Sequence, residues 1–112
     1  MDTVSKYRKI VREVLERYVG IKYANADVDN EVLFDEERDR YAVVSVGWTN
    51  EPRRSHGCLL HLDIIDGKVW IQRDGTEDGV ALELEEAGIP KSDIVLAWHP
   101  PKLRRYTDYA AA

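Results

Sequence analysis

The chain has 112 residues, 44% hydrophobic and 33% charged, the balance of one soluble globular domain spanning 1–112 and not of a disordered chain or two domains. Its net charge of −5 argues against a protein that holds DNA by bulk electrostatics, and no apolar run reaches the roughly 20 residues a bilayer crossing needs. The opening Met1-Asp2-Thr3-Val4-Ser5-Lys6 lacks the basic-then-apolar layout of a secretory leader, and the single cysteine, Cys58, cannot form an internal disulfide; both suit a cytoplasmic protein with a buried, inert thiol.

Val4, Tyr7, Val11, Val14 and Tyr18 recur at spacings of three and four, which predicts an amphipathic helix over about 3–19. Asp2 or Thr3 can cap its start, and Gly20 can end it in a left-handed turn. Residues 21–30 read as polar and irregular, 31–35 as a short strand, and 36–40 as a charged turn. Tyr41 to Asn50 is β-branched and aromatic, hence a strand, with Gly47 hinting at a bulge or close approach. Residues 51–57 read as a turn.

In the next strand, Cys58, Leu60, Leu62 and Ile64 alternate with Leu59, His61, Asp63 and Ile65, so the two sets take opposite faces. Asp66-Gly67 between two alternating runs predicts a tight hairpin with both residues at positive φ. A second, shorter helix follows over 78–90, with Asp78 as a possible cap, Gly88 as its stop and Pro90 preventing continuation. Residues 93–99 form a possible fifth strand. The fold expected is α+β: an N-terminal helix packed on a mainly antiparallel sheet of four to five strands, with a second short helix.

Chemistry-bearing residues are scattered. Asp63, Asp66 and Lys68 imitate the carboxylate and lysine set of a metal-dependent nuclease, but Asp66-Gly67 is what the hairpin demands. Asp74, Glu77 and Asp78 lack calcium-loop spacing and suit a strand-to-helix turn. His56, His61 and His99 share no metal spacing, and Cys58 with His56 has no orienting third group. No catalytic residue, cofactor or metal ligand is assigned.

Charge is unevenly spread: residues 1–20 and 89–112 each carry +2, against −5 over 26–40 and −6 over 61–88. Direct DNA binding by the basic ends requires Lys6, Lys9 and Arg12 to share a face with Arg104 and Arg105. The chain closes unusually. After an apolar run, Pro100-Pro101 stops sheet pairing, and Lys102, Arg104 and Arg105 lie beside Tyr106 and Tyr109. Arg with aromatics is an interface composition, and a segment covering its own core fits the same residues. The candidate partner-binding residues are His99, Pro100, Pro101, Arg104, Arg105 and Tyr106. Uncovered sheet area makes a homo-oligomer an expectation.

The segment "GIPKSDIVLAWHPPKLRRYTDYAAA", with "YRKIVREVLERY", "HGCLLHLDIIDGKVWIQRDGTEDGVA" and the Asp74-Gly75-Thr76-Glu77 link, resembles the XisI-like family over the full length. That family comprises element-excision controlling factors, found chiefly in cyanobacteria. The resemblance implies a non-enzymatic accessory role in programmed DNA-element excision, exerted by binding an XisH-like protein or a site-specific recombinase complex. Nucleic-acid contact would then be indirect, and the family supplies no catalytic residues to carry over.

Overall fold

The computed structural model describes residues 2–24 and 26–112, which leaves Met1 and, within the predicted loop, Asn25 outside. Helix α1 (Thr3–Glu16) precedes four strands, β1 (Ala26–Asp35), β2 (Arg40–Thr49), β3 (Arg54–Ile65) and β4 (Lys68–Asp74). Then come α2 (Val80–Glu86), a 3-10 turn at Lys91–Asp93, β5 (Ile94–Leu96) and a one-turn helix α3 (Pro101–Arg104). The strands lie side by side in chain order. The first four pair antiparallel, and β5 joins β4 in parallel, with α2 as the crossover such a pair needs. This is the α+β architecture expected, a helix packed on a five-stranded sheet.

The Asp2 carboxylate caps α1 by accepting from Ser5 N at 2.7 Å, and Tyr7, Ile10, Val11, Val14 and Leu15 form its buried stripe. The helix ends at Glu16, short of the expected 19. Arg17, Tyr18 and Val19 instead donate three residues back, to Val14, Leu15 and Glu16, a tightening that satisfies the last carbonyls without a left-handed residue. Gly20 accordingly does not adopt positive φ.

Strand β1 begins at Ala26, five residues before the expected start. The alternation there is genuine but disguised, because one inward position is polar. Asn30, only 2% exposed, donates to Tyr18 O at 2.8 Å and accepts from Ser45 Oγ at 2.7 Å, so its burial is compensated. The expected turn over 51–57 is likewise shorter, since β3 starts at Arg54. Gly47 is where backbones approach: a Cβ there would lie 2.0 Å from Asp27 O.

Two irregularities break the alternation of β3 and β4. Val43 pairs with Leu60 and Val44 with Cys58, leaving Leu59 extra; His61 pairs with Arg73 and Leu62 with Ile71, leaving Gln72 extra. The first bulge moves Cys58 off the core face. The thiol is exposed, contrary to the expected burial, and His61 comes onto the same face as Cys58 and His56, not the opposite one. The Asp66-Gly67 hairpin has φ of 51° and 78°, the type I′ geometry predicted. Helix α2 is capped from a distance: Asp74, not Asp78, accepts from Val80 N at 2.7 Å.

One cluster fills the space between the helices and the inner sheet face, with Leu15, Tyr41, Leu60, Leu62, Ile71 and Leu84 fully buried. Tyr18 donates to Glu83 and Tyr7 to Asp93, fastening the turn after α1 to α2 and α1 itself to the turn before β5. Arg8 grips Asp39 with two bonds at 2.7 and 3.0 Å. Asp39 is 15% exposed against 58% for Glu36, the partner of Arg12, so the forked, shielded Arg8 pair is the stronger of the two.

Candidate partner-binding corner

Beyond Leu96 the chain stays on the sheet for one more bond, Ala97 N to Ile71 O at 3.0 Å. It then turns through Trp98 and His99. Pro100 stands before α3 and Pro101 at its first position, where the missing N–H has no helical partner to lose. Leu103 N closes the turn on Pro100 O at 2.8 Å.

The expected strand over 93–99 is therefore only three residues long. Val95 is fully buried yet outside the helix-side cluster, so β5 is covered on both faces, while Trp98 is 48% exposed.

Arg104 turns inward. Its guanidinium donates to the carbonyls of His99 and Ala97, each at 3.0 Å, and sits 5.2 Å from the Trp70 ring centroid. Trp70 pairs with Asp63 in register and so belongs to the outer sheet face. Further along, Ala110 N donates to Ile94 O at 2.9 Å, and Ala110 bridges to Val95. Tyr109 packs against the core and donates to Glu85 at 2.8 Å, under the Lys91 ammonium. Burial, with the Glu85 bond, pushes the Tyr109 phenol up to about 12. The tail thus closes its own domain.

It also leaves a surface. Trp98 at 48%, Leu103 at 49% and Tyr106 at 73% exposure fall within nine residues. Arg105 donates to the Tyr106 hydroxyl at 2.9 Å and lies over its ring. Pro100, Pro101 and Lys102 are exposed beside them, and the half-buried His99 ring lies 5.4 Å from Trp98. Five of the six candidate residues are displayed here; Arg104 is the internal fastener beneath them. Sequence reasoning missed Trp98 and Leu103. An apolar run reads as uniformly buried until the point where the strand ends is known.

The other candidate groups make contacts within the fold. Asp63 is 5% exposed; it meets His61 Nε2 at 2.8 Å and Arg40 Nε at 3.6 Å, and accepts from Gln72 at 3.2 Å. Asp66 is the turn residue and Lys68 opens β4. Asp74 accepts from Thr76 N at 2.9 Å and from Thr76 Oγ1 at 2.5 Å. Among the described residues no group of three or more His, Cys, Asp or Glu could hold a metal ion. Desolvation raises the pKa of the Cys58 thiol, the opposite of what a nucleophilic cysteine needs. Helix α1 packs on the inner face and Arg104 lies on the outer one, so the sheet stands between α1 and Arg104. No helix is long and apolar enough to cross a membrane.

No curated protein is significantly similar to the chain. Two solved structures from Anabaena variabilis are. A XisI-like protein shares 38% identity with a TM-score of 0.87, covering 99% of this chain and 100% of its own. The fdxN element excision controlling factor XisI shares 33% identity with a TM-score of 0.81 over the same coverage. Residues 1–111 match the family described as XisI protein, and the chain belongs to the XisI family.

Proposed function

We propose that this chain is a non-enzymatic regulatory subunit that controls excision of a DNA element by binding a partner protein, an XisH-like protein or a recombinase complex, through its C-terminal corner. The observation that carries the reading is the display of Trp98, Leu103 and Tyr106, three large apolar side chains exposed within nine residues on a segment tied to the domain by hydrogen bonds. Exposed aromatics with Arg, presented without an ordering penalty, are what protein interfaces use. Kinship to an excision controlling factor supplies the process.

The test is co-expression with an XisH-like protein and capture on a tag carried by this chain. Wild type is expected to retain the partner, and Leu103→Ala/Tyr106→Ala to lose about 90% of it, since each interface anchor contributes about 1–2 kcal/mol. Equal recovery by that variant, with unchanged circular dichroism, overturns the assignment of the corner. Failure of wild type to capture any partner overturns the accessory reading.

A further inference from the structure

The C-terminal segment covers the outer sheet face only near β4 and β5, where Arg104 lies on Trp70. Over β1, β2 and β3 that face is open, and its side chains are ordered by charge. The registers place Asp27, Trp48 and Arg54 in one row, Asp29, Val46 and His56 in the next, then Glu31, Val44 and Cys58, then Leu33, Ala42 and His61. Acidic groups dominate β1, apolar groups fill β2, and basic or neutral groups line β3. Trp48 is 50% and Leu33 59% exposed.

We propose that this face is a self-association surface, on which a second copy of the chain stacks sheet to sheet about a two-fold axis running along β2. Such an axis sets β1 of each copy over β3 of the other, row by row. Asp27 then meets Arg54 of the second copy, Asp29 meets its His56, and the β2 stripe meets itself, the self-complementarity an isologous contact requires. A two-fold axis across the strands would lay β1 on β1, acid against acid. It would also drive the two C-terminal segments into each other. With the axis along β2, each segment falls beyond the β1 edge of the opposite copy, where no further strand stands in its way. Edge-to-edge pairing of β1 is opposed by Asp27, Asp29, Glu31 and Asp35. The last row, Asp35, Arg40 and Asp63, departs from this order, with an acid on both β1 and β3 and a base between them, so it opposes the contact. It lies at the hairpin end, where sheets aligned at about 30° splay apart.

The ten-residue strands give a patch about 33 Å long and about 14 Å wide across three strands. Roughly 500 Å² per copy is below the ~800 Å² of a standard stable interface, so a concentration-dependent dimer with a midpoint in the micromolar range is expected. The surface is separate from the C-terminal corner, and loss of either leaves the other measurable.

Sedimentation velocity across the micromolar range tests the proposal. The coefficient is expected to rise from monomer to dimer, and Val44→Glu to weaken association about 100-fold, the equivalent of ~2.7 kcal/mol. The decisive pair is Asp27→Lys/Asp29→Lys and Arg54→Glu/His56→Glu, all at exposed outer-face positions. Each is expected to stay monomeric alone, and their equimolar mixture to dimerise, because mixing restores both acid-base rows. A monomer at every concentration overturns the proposal. So do charge variants that dimerise alone as well as wild type, or that fail to associate when mixed.

Discussion

The Arg104 guanidinium spans from the carbonyls of Ala97 and His99 to the face of Trp70, 5.2 Å from the ring centroid. One side chain therefore holds the exit from β5, the Pro100-Pro101 corner and the outer face of β4 in a fixed relation. Arg104→Ala is expected to lower stability by about 2 kcal/mol, from two charged hydrogen bonds and a cation–π contact, and Tm by roughly 10 °C. Arg104→Lys is expected to recover less than half, since an ammonium cannot reproduce the fork. Thermal melts with limited proteolysis of the C-terminal segment check both; an unchanged Tm in Arg104→Ala contradicts the fastening role.

Gly47 faces the β1 backbone so closely that a Cβ would lie 2.0 Å from Asp27 O and 2.7 Å from Val28 Cα. Backbone cannot retreat as a side chain can, so Gly47→Ala is expected to detach the start of β1 at a cost of about 3 kcal/mol. Amide exchange should accelerate over 26–30 before it does elsewhere. Gly57→Ala, with nothing within 4 Å of the new Cβ, is the matched control.

Asp39 sits at φ 55° in the β1–β2 turn. Its carboxyl is held below the ordinary range chiefly by the Arg8 hydrogen bond, which outweighs the opposing effect of burial, with the Tyr41 hydrogen bond adding to it. A lowered folded-state pKa means stability that is present above the ordinary carboxylate range and is lost as pH falls through the folded value. Asp39→Asn, which tolerates the same φ, is therefore expected to melt a few degrees below wild type at neutral pH. The gap should close as pH drops below about 4. A gap that persists at acid pH means the charge is not its cause.

Tyr7, Tyr41 and Tyr109 are each pushed up to about 12 from the usual 10.0, by burial first and then by donating to Asp93, Asp39 and Glu85. Their raised values favour the folded state below the ordinary phenol range, and that advantage disappears as pH climbs through about 12. Alkaline unfolding is expected to begin above about pH 10, with phenolate absorbance rising together with loss of circular dichroism. Tyr7→Phe should make the alkaline decline shallower.

What was legible in the residues was local. The α1 stripe follows from the spacing of Tyr7, Val11 and Val14, and the β3–β4 hairpin from Asp66-Gly67, because backbone φ preference and side-chain period act within a few residues. The start of β1 was hidden because Asn30 stands at an inward position, and it is inward only because Tyr18 O and Ser45 Oγ arrive from elsewhere to bond it. The Cys58 error has the same origin. A bulge is a property of two strands in register, and no single strand announces that Leu59 will be extra.

The sequence by itself determined the order of helix and strands, the hairpin, the end of sheet pairing near the prolines and the family. It named the C-terminal corner without separating the side chains that close the domain from those that face outward. Tertiary structure made that division, turning Arg104 onto Trp70 and Tyr109 onto Glu85 while leaving Trp98, Leu103 and Tyr106 exposed. Periodicity specifies which residues share a face, but only packing against distant elements decides which face is covered.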